Sequence, residues 1–186
     1  MDGDGMDGDG MDGDGMDGDG MDGDGMDKID NVIKQWALEK PLLDTEPMAL
    51  IGRLLRISKH IEANISTFHK HFGLTFGEFD VLATLRRSAN HNGLTPSELL
   101  DELLLTSGAM SNRLDKLQSK KLIDRVPSEF DKRSVSVALT DKGRILIDQV
   151  IEAHVQLQQT LVSALSKSQK ISLNGALKTW LADFEK

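Results

Sequence analysis

The sequence contains no cysteine and no tyrosine, and only 4% of its residues are aromatic. Without cysteine there is no disulfide framework, no thiolate metal site and no thiol-based redox sensing. No apolar run approaches the roughly 18 residues that a membrane-spanning helix needs. The scarcity of aromatic residues also argues against a stacking surface for single-stranded nucleic acid. We therefore expect a cytoplasmic protein that needs no cofactor and no membrane.

Residues 1–25 are five copies of Met-Asp-Gly-Asp-Gly, which have no apolar face and cannot form a core. We interpret them as an artificial leader, with a natural disordered acidic tail as the alternative, and expect the native chain to start at Met26 without a secretory signal. Each repeat carries two aspartates, ten in all, so the net charge of −8 becomes +2 for the rest of the chain. A nearly neutral chain can still bind nucleic acid if its lysines and arginines cluster on one face.

Patterns of catalysis and metal binding are also lacking. The sequence has no nucleophile elbow, phosphate loop or dinucleotide fingerprint, so we expect that the protein is not an enzyme. His69 and His71 are two residues apart and would face different sides of a helix, so we expect no metal site. His154 falls in the apolar seam of a long helix, where a packed histidine is the interpretation and a pH sensor the alternative.

The spacing of apolar residues predicts a mainly α protein with a small β-hairpin. Helical spacing covers 27–39, where Pro41 ends it, and 50–72, with Gly73 as a stop. A last helix is expected from about Ser168.

Between these helices, Thr75 and Thr95 each open a capping box, and a further helix is expected at about 109–120. Polar and apolar residues alternate over 134–139, which predicts a strand, and Thr140 caps the long helix that follows. A preceding strand joined by a charged loop completes a hairpin.

A short helix, a tight turn, a second helix and a hairpin form the order of a winged helix-turn-helix, whose second helix enters the major groove of DNA. Residues of that helix are small or can form hydrogen bonds, and two of them add positive charge. The candidate DNA contacts are Ser107, Gly108, Met110, Ser111, Asn112, Arg113 and Lys116. The alternative is an ordinary solvated helix with a serine-rich start.

The loop between the strands supplies the second set of candidate DNA contacts, Asp131, Lys132, Arg133 and Ser134. Arginine is favoured in the minor groove by its negative potential, and Asp131 can orient Arg133 through a charge-assisted pair. The alternatives are a charged turn without function and, from another class, a protein-interaction adaptor that kept the fold but lost DNA binding. The basic loop speaks against an adaptor.

Residues of about 46 to 170 resemble the MarR family of winged-helix regulators. The motifs that carry the resemblance are LTPSEL at 94–99, TSGAMSNRLDKL at 106–117, LIDR at 122–125 and, most specific, DKRSVSVALTDKG at 131–143. The resemblance implies a homodimer, formed by N- and C-terminal helices, that represses transcription from pseudo-palindromic promoter DNA. The expected division is a leader at 1–25, an added N-terminal helix at 26–45, dimerisation helices at 46–74 and 141–186, and a winged helix-turn-helix domain at 75–140.

Within that family the chain resembles the urate-responsive, PecS/HucR-like branch, whose ligand residues are matched by Trp36, Asp80, Arg113 and Arg125. An arginine offers a planar cation to an anionic purine and a tryptophan offers a stacking face. The resemblance implies that a ligand repels Asp80, attracts Arg113 and so releases the DNA. Trp36 as a packing aromatic, Asp80 as a helix-surface carboxylate, and a phenolic or aromatic carboxylate effector are the alternatives.

Overall fold

The structure, a computed structural model, describes residues 25–88, 93–103, 110–127 and 135–185. This part of the chain contains seven helices and one two-stranded antiparallel sheet. The chain divides into two compact units, Met1–Arg56 and Ile57–Lys186, with the boundary inside the second helix. The predicted fold class, mainly helical with a small β-hairpin, is confirmed.

The helices follow the predicted order along the chain. Their bounds are α1 Lys28–Glu39, α2 Glu46–His71, α3 Phe76–Arg87, α4 Pro96–Glu102, α5 Met110–Ser119, α6 Asp141–Leu161 and α7 Lys167–Leu181. The strands are β1 Ile123–Pro127 and β2 Val135–Leu139. Among the residues described, no helix is both long enough and apolar enough to cross a bilayer.

In the N-terminal unit, α1 is fixed to the start of α2 by a cluster of charged side chains. Asp27 caps α1 by accepting hydrogen bonds from the N–H groups of Ile29 and Asp30. Arg53 Nε lies 2.7 Å from an Asp27 oxygen, and Arg53 Nη2 lies 2.6 Å from an Asp30 oxygen. The hydrogen bond from Arg53 is the main reason that the pKa of Asp27 is lowered. Gly52 leaves room for Ile29, because a Cβ there would lie 3.0 Å from Ile29 Cδ1.

In the second unit, threonine caps explain where three helices begin. Thr75 and Thr95 each accept a hydrogen bond from the third residue of the helix, and the Glu78 and Glu98 side chains accept one from the N–H of their cap. Thr140 caps α6 in the same way, through the N–H of its third residue. The two predicted capping boxes and the predicted start of the long helix are confirmed.

The core of the second unit lies between α3, α6 and the hairpin. Its most deeply buried apolar side chains are Val81, Leu82, Leu99, Leu117, Ile123, Val137, Ile147 and Val150. β1 and β2 pair along all five residues of each strand, and Leu94 adds a short bridge to Val137. The Leu122 carbonyl accepts the Thr140 N–H at 3.1 Å, and Gly143 packs on that carbonyl so closely that a Cβ would overlap it. The hairpin is therefore attached directly to the start of α6.

Several helices keep apolar side chains on the surface of the chain. Neither α1 nor α7 has a buried residue, and the 26 residues of α2 bury only Ile65 and His69. The exposed apolar side chains of α7 are Ile171, Leu173, Leu177 and Leu181. Exposed apolar surface of this extent is typical of helices that pack against another protein.

Candidate nucleic-acid interface and ligand cavity

α5 is the predicted DNA-reading helix, and its two sides differ in character. Met110, Leu114 and Leu117 follow a spacing of four and three residues and are buried in the core. The opposite side, which we call the polar arc of α5, is exposed and consists of Ser111, Asn112, Asp115 and Lys116. The prediction that Met110 contacts DNA is wrong, because its side chain is 8% exposed and packs in the core. Ser107 and Gly108, also predicted to contact DNA, lie outside the described residues.

Arg113 lies between the two sides of α5 and is half-buried. Its guanidinium rests on Gly77, in the first turn of α3, where a Cβ would lie 2.5 Å from Nε and 2.9 Å from Cζ of Arg113. Asp80 follows Gly77 by three residues and therefore lies on the same side of α3. The structure thus brings Arg113 to the side of α3 that carries Asp80.

The end of α5 is attached to the start of α3 by a lysine. Lys120 Nζ lies 2.7 Å from Glu78 Oε1 and donates a second hydrogen bond, of 2.9 Å, to the carbonyl of Gly73. The Glu78 side chain is only 2% exposed, and its other oxygen accepts the Thr75 N–H at 2.8 Å. Burial opposes ionisation of Glu78, but the hydrogen bonds from Lys120 and Thr75 outweigh it and lower the pKa of this carboxyl.

The hairpin places Arg125 on β1, where its Nη2 lies 2.6 Å from Asp115 of α5. This ion pair is partly exposed and connects the strand to the polar arc of α5. The four predicted wing residues, Asp131, Lys132, Arg133 and Ser134, lie outside the described residues.

A cavity of about 530 Å³ lies beside α3, between the end of α2 and α6. Its walls are largely apolar, and its apolar side chains are Ile65, Phe76, Phe79, Ala83, Ile147, Ile151 and Val155. Its polar side chains are Asp80, Arg86, Arg87, Asp148, His154 and Gln158. An apolar pocket with a few convergent polar groups is the usual form of a small-molecule site.

Of the four predicted ligand residues, Asp80 lines this cavity. Asp80 is 3% exposed, so the alternative of a helix-surface carboxylate is wrong. Arg113 lies one turn away, on Gly77, and Arg125 is engaged with Asp115; neither belongs to the cavity wall. Trp36 is on α1 in the N-terminal unit, with 37% of its surface exposed.

Other polar residues of the cavity were not assigned from the sequence. Arg86 Nε lies 2.6 Å from Asp148 of α6, and an Arg87 nitrogen donates to Thr84 Oγ1 at 2.8 Å. Arg87 follows Asp80 by seven residues, or about two helical turns, so helical periodicity alone places both on one side of α3. No comparable local pattern in the sequence shows which residues of α6 line the cavity.

Two buried histidines stack beside the cavity. The rings of His69 on α2 and His154 on α6 are 5.1 Å apart, and Phe79 packs 4.2 Å from His69 and 4.7 Å from His154. Neither nitrogen of His69, nor Nδ1 of His154, has a hydrogen-bond partner among the described residues. Burial, and secondarily the nearby His154, lowers the pKa of His69 from 6.5 to about 4, and burial lowers the pKa of His154. Both rings are therefore neutral at pH 7.

Known proteins match this arrangement over most of its length. A sequence profile of the MarR family matches residues 72–134. The transcriptional regulator PecS of Dickeya dadantii is 36% identical over 150 residues, which are 81% of this chain and 90% of PecS. The multiple antibiotic resistance protein MarR of Escherichia coli is 30% identical over 130 residues, 69% of this chain and 88% of MarR.

The fold also matches a solved structure of Escherichia coli MarR. A cysteine-to-serine mutant of Escherichia coli MarR, in complex with operator DNA, superposes with a TM-score of 0.63 at 28% identity. The match covers 75% of this chain and 99% of that protein.

Proposed function

Because this chain belongs to the MarR family of transcriptional regulators, we propose that it is a homodimeric repressor of pseudo-palindromic promoter DNA that a small anionic ligand releases. The observation that carries the proposal is the two-sided character of α5. Its apolar side is fixed in the core, while the polar arc is free of the core and can reach base edges. We also propose a cytoplasmic location, where promoter DNA lies in bacteria such as the sources of PecS and MarR.

We assign the major groove to α5 and the minor groove to the loop between the strands. Ser111, Asn112 and Lys116 can donate or accept hydrogen bonds at bases and phosphates. Lys132 and Arg133 add positive charge for the neighbouring minor groove. The solved complex of Escherichia coli MarR with operator DNA supports DNA binding by this fold.

We assign dimerisation to residues 46–74 and 141–186, with the helix at 26–45 as an addition. The exposed apolar side chains of α7 and the small buried fraction of α2 support this assignment, because both leave surface for a second copy. Two-fold symmetry would place the two α5 helices about one turn of DNA apart.

We assign the ligand to the cavity beside Asp80. Trp36, Arg113 and Arg125 stay predicted ligand residues from the family resemblance, and none of them lines the cavity. A planar anion such as urate would find arginines at the cavity wall and aromatic side chains for stacking. It would repel the Asp80 carboxylate and attract Arg113, which belongs to the reading helix. Coupling of this kind is typically about 1–3 kcal/mol.

DNA binding is tested with the promoter upstream of the protein's own gene in a fluorescence anisotropy titration. We expect affinity to fall steeply with salt, because bound lysines and arginines release counterions. Arg133→Ala should weaken binding, whereas Lys40→Ala, which removes an exposed charge just after α1, should not. If no duplex binds at low ionic strength, the adaptor alternative replaces the repressor.

The ligand is tested by adding urate or salicylate to the protein–DNA complex. We expect urate to release the DNA, and release by salicylate alone would favour the phenolic alternative. Asp80→Asn should blunt the response, while Glu152→Gln, an exposed carboxylate of α6, should leave it unchanged. Arg113→Ala should also blunt it, although this variant affects DNA contact directly as well.

A further inference from the structure

The attachment of α5 to α3 uses a buried carboxylate in two ways at once. One oxygen of Glu78 closes the capping box of α3 by accepting the Thr75 N–H, and the other binds Lys120 at 2.7 Å. The same ammonium reaches the Gly73 carbonyl at 2.9 Å. The start of α3 and the end of α5 therefore share one hydrogen-bonded ion pair, which we call the Glu78–Lys120 joint.

The joint lies where α5 is held from a second side. The carbonyl of Lys120 accepts a hydrogen bond from Lys142 of α6 at 2.9 Å, and the next carbonyl, of Lys121, accepts one from Thr140 at 2.8 Å. Lys121 has φ +58°, the left-handed conformation that turns the chain toward β1. The C-terminal end of α5 is thus fixed to both α3 and α6, and this fixed end contributes to the direction of the helix.

We propose that the Glu78–Lys120 joint positions the recognition helix for DNA, with Glu78 and Lys120 as positioning residues that do not touch the duplex. This inference rests on the proposed DNA-binding function. α3 carries the joint on its first turn and lines the cavity with Phe76, Phe79, Asp80 and Ala83. The helix that meets the ligand would therefore also set the angle of the helix that reads DNA.

A direct contact between Lys120 and a phosphate is the competing explanation, because the lysine side chain is 38% exposed. The two explanations differ in the sign of the effect of Glu78. Removing its negative charge would free Lys120 for a phosphate and tighten or preserve binding. If the joint positions α5, the same change weakens binding although the chain becomes more positive.

The experiment compares Glu78→Gln, Lys120→Met, Lys120→Arg and the double variant Glu78→Gln/Lys120→Met with the wild type, using the promoter duplex at several salt concentrations. We expect each of the first two to raise Kd about tenfold, since charged pairs in contact are coupled by this order of magnitude. Lys120→Arg should stay within about twofold. The double variant should resemble the single ones, because both remove the same joint. Lys40→Met, at an exposed lysine just after α1, is the charge control.

The salt dependence of Kd distinguishes a phosphate contact of Lys120 from a positioning role. Loss of one phosphate contact makes the negative slope of log K against log salt less steep by about 0.9, whereas loss of the joint leaves it unchanged. An unchanged or tighter Kd for Glu78→Gln, or a reduced slope for Lys120→Met, overturns the proposal. A wild-type chain that binds no duplex overturns the proposed function itself. If Glu78→Gln does not fold, the Lys120→Met and Lys120→Arg pair decides through Kd and slope.

Discussion

α3 and α7 are both amphipathic helices of the second unit, but only α3 is completed by its own chain. Seven of the twelve residues of α3 are buried, among them Glu78 and Asp80. None of the fifteen residues of α7 is buried, although Leu177 and Leu181 are apolar. The side chains of α3 are buried within the same chain, whereas α7 leaves an apolar side exposed that the proposed dimer would cover.

The largest effect is expected from Leu177→Asp/Leu181→Asp. The change places two charges on the apolar side of α7, which would be costly to bury against a partner and harmless in a monomer. We expect monomers by analytical ultracentrifugation and a loss of promoter affinity on the order of 100-fold or more, because two linked half-site contacts become one. Ser172→Asp, on the opposite side of the same helix, should stay dimeric. A dimeric double variant would show that α7 does not associate.

A smaller effect, on the free energy of unfolding, is expected from low pH. It arises from His69, the buried histidine of α2 that stacks on Phe79 of α3. His69 has a pKa of about 4 when folded, against 6.5 for the unfolded group, so unfolded chains bind protons first as the pH falls. Stability due to this histidine is complete above pH 6.5, falls between 6.5 and about 4, and then levels off. The loss of unfolding free energy amounts to about 3 kcal/mol, because each unit of the pKa difference is worth about 1.4 kcal/mol and His69 is fully buried.

The measurement is urea unfolding at fixed protein concentration at pH 8 and pH 4.5. His69→Leu should flatten the pH dependence, since an apolar side chain in this aromatic surrounding has no proton to gain. His71→Leu, an exposed histidine two residues further on, should retain the wild-type dependence. Equal pH dependence in all three proteins would remove His69 as its cause.

The smallest effect is expected from replacing glycines of the two helices. Gly77→Ala would place a Cβ 2.5 Å from Arg113 Nε, and the flexible guanidinium would swing away from α3. We expect stability within about 1 kcal/mol of the wild type, because the helix gains propensity and loses this contact. Release of DNA by urate should become a few-fold weaker. Gly175→Ala on α7 meets no atom within 4 Å, so it should stabilise slightly without altering DNA binding or release.

Elements with local signals could be predicted from the sequence. The caps at Thr75, Thr95 and Thr140 are local chemistry between a hydroxyl and an N–H three residues away, and the structure has all three. Gly73, predicted as the stop of α2, follows the helix with φ +67°. The alternation at 134–139 likewise predicted β2, because a strand has a period of two.

Contacts between distant segments could not be predicted in this way. Glu78 was recognised as part of a capping box, but its second partner, Lys120, is 42 residues further along the chain. His69 and His154 stack only because α2 and α6 come together in the core. Met110 was misassigned because the sequence order of a DNA-reading helix does not show which side packs, although its spacing to Leu114 and Leu117 agrees with burial.

The tight packing of Gly143 on the Leu122 carbonyl has a consequence for comparing relatives. At this point α6 and the hairpin touch through backbone alone, so no side chain fits between them. The two helical glycines should therefore differ in the substitutions that relatives tolerate. Gly175 can be replaced by any small residue, whereas Gly143 cannot be replaced as long as the hairpin contacts α6 through backbone. A homologous sequence with a bulky residue at the position of Gly143 would indicate a protein whose hairpin is attached to α6 by a different contact.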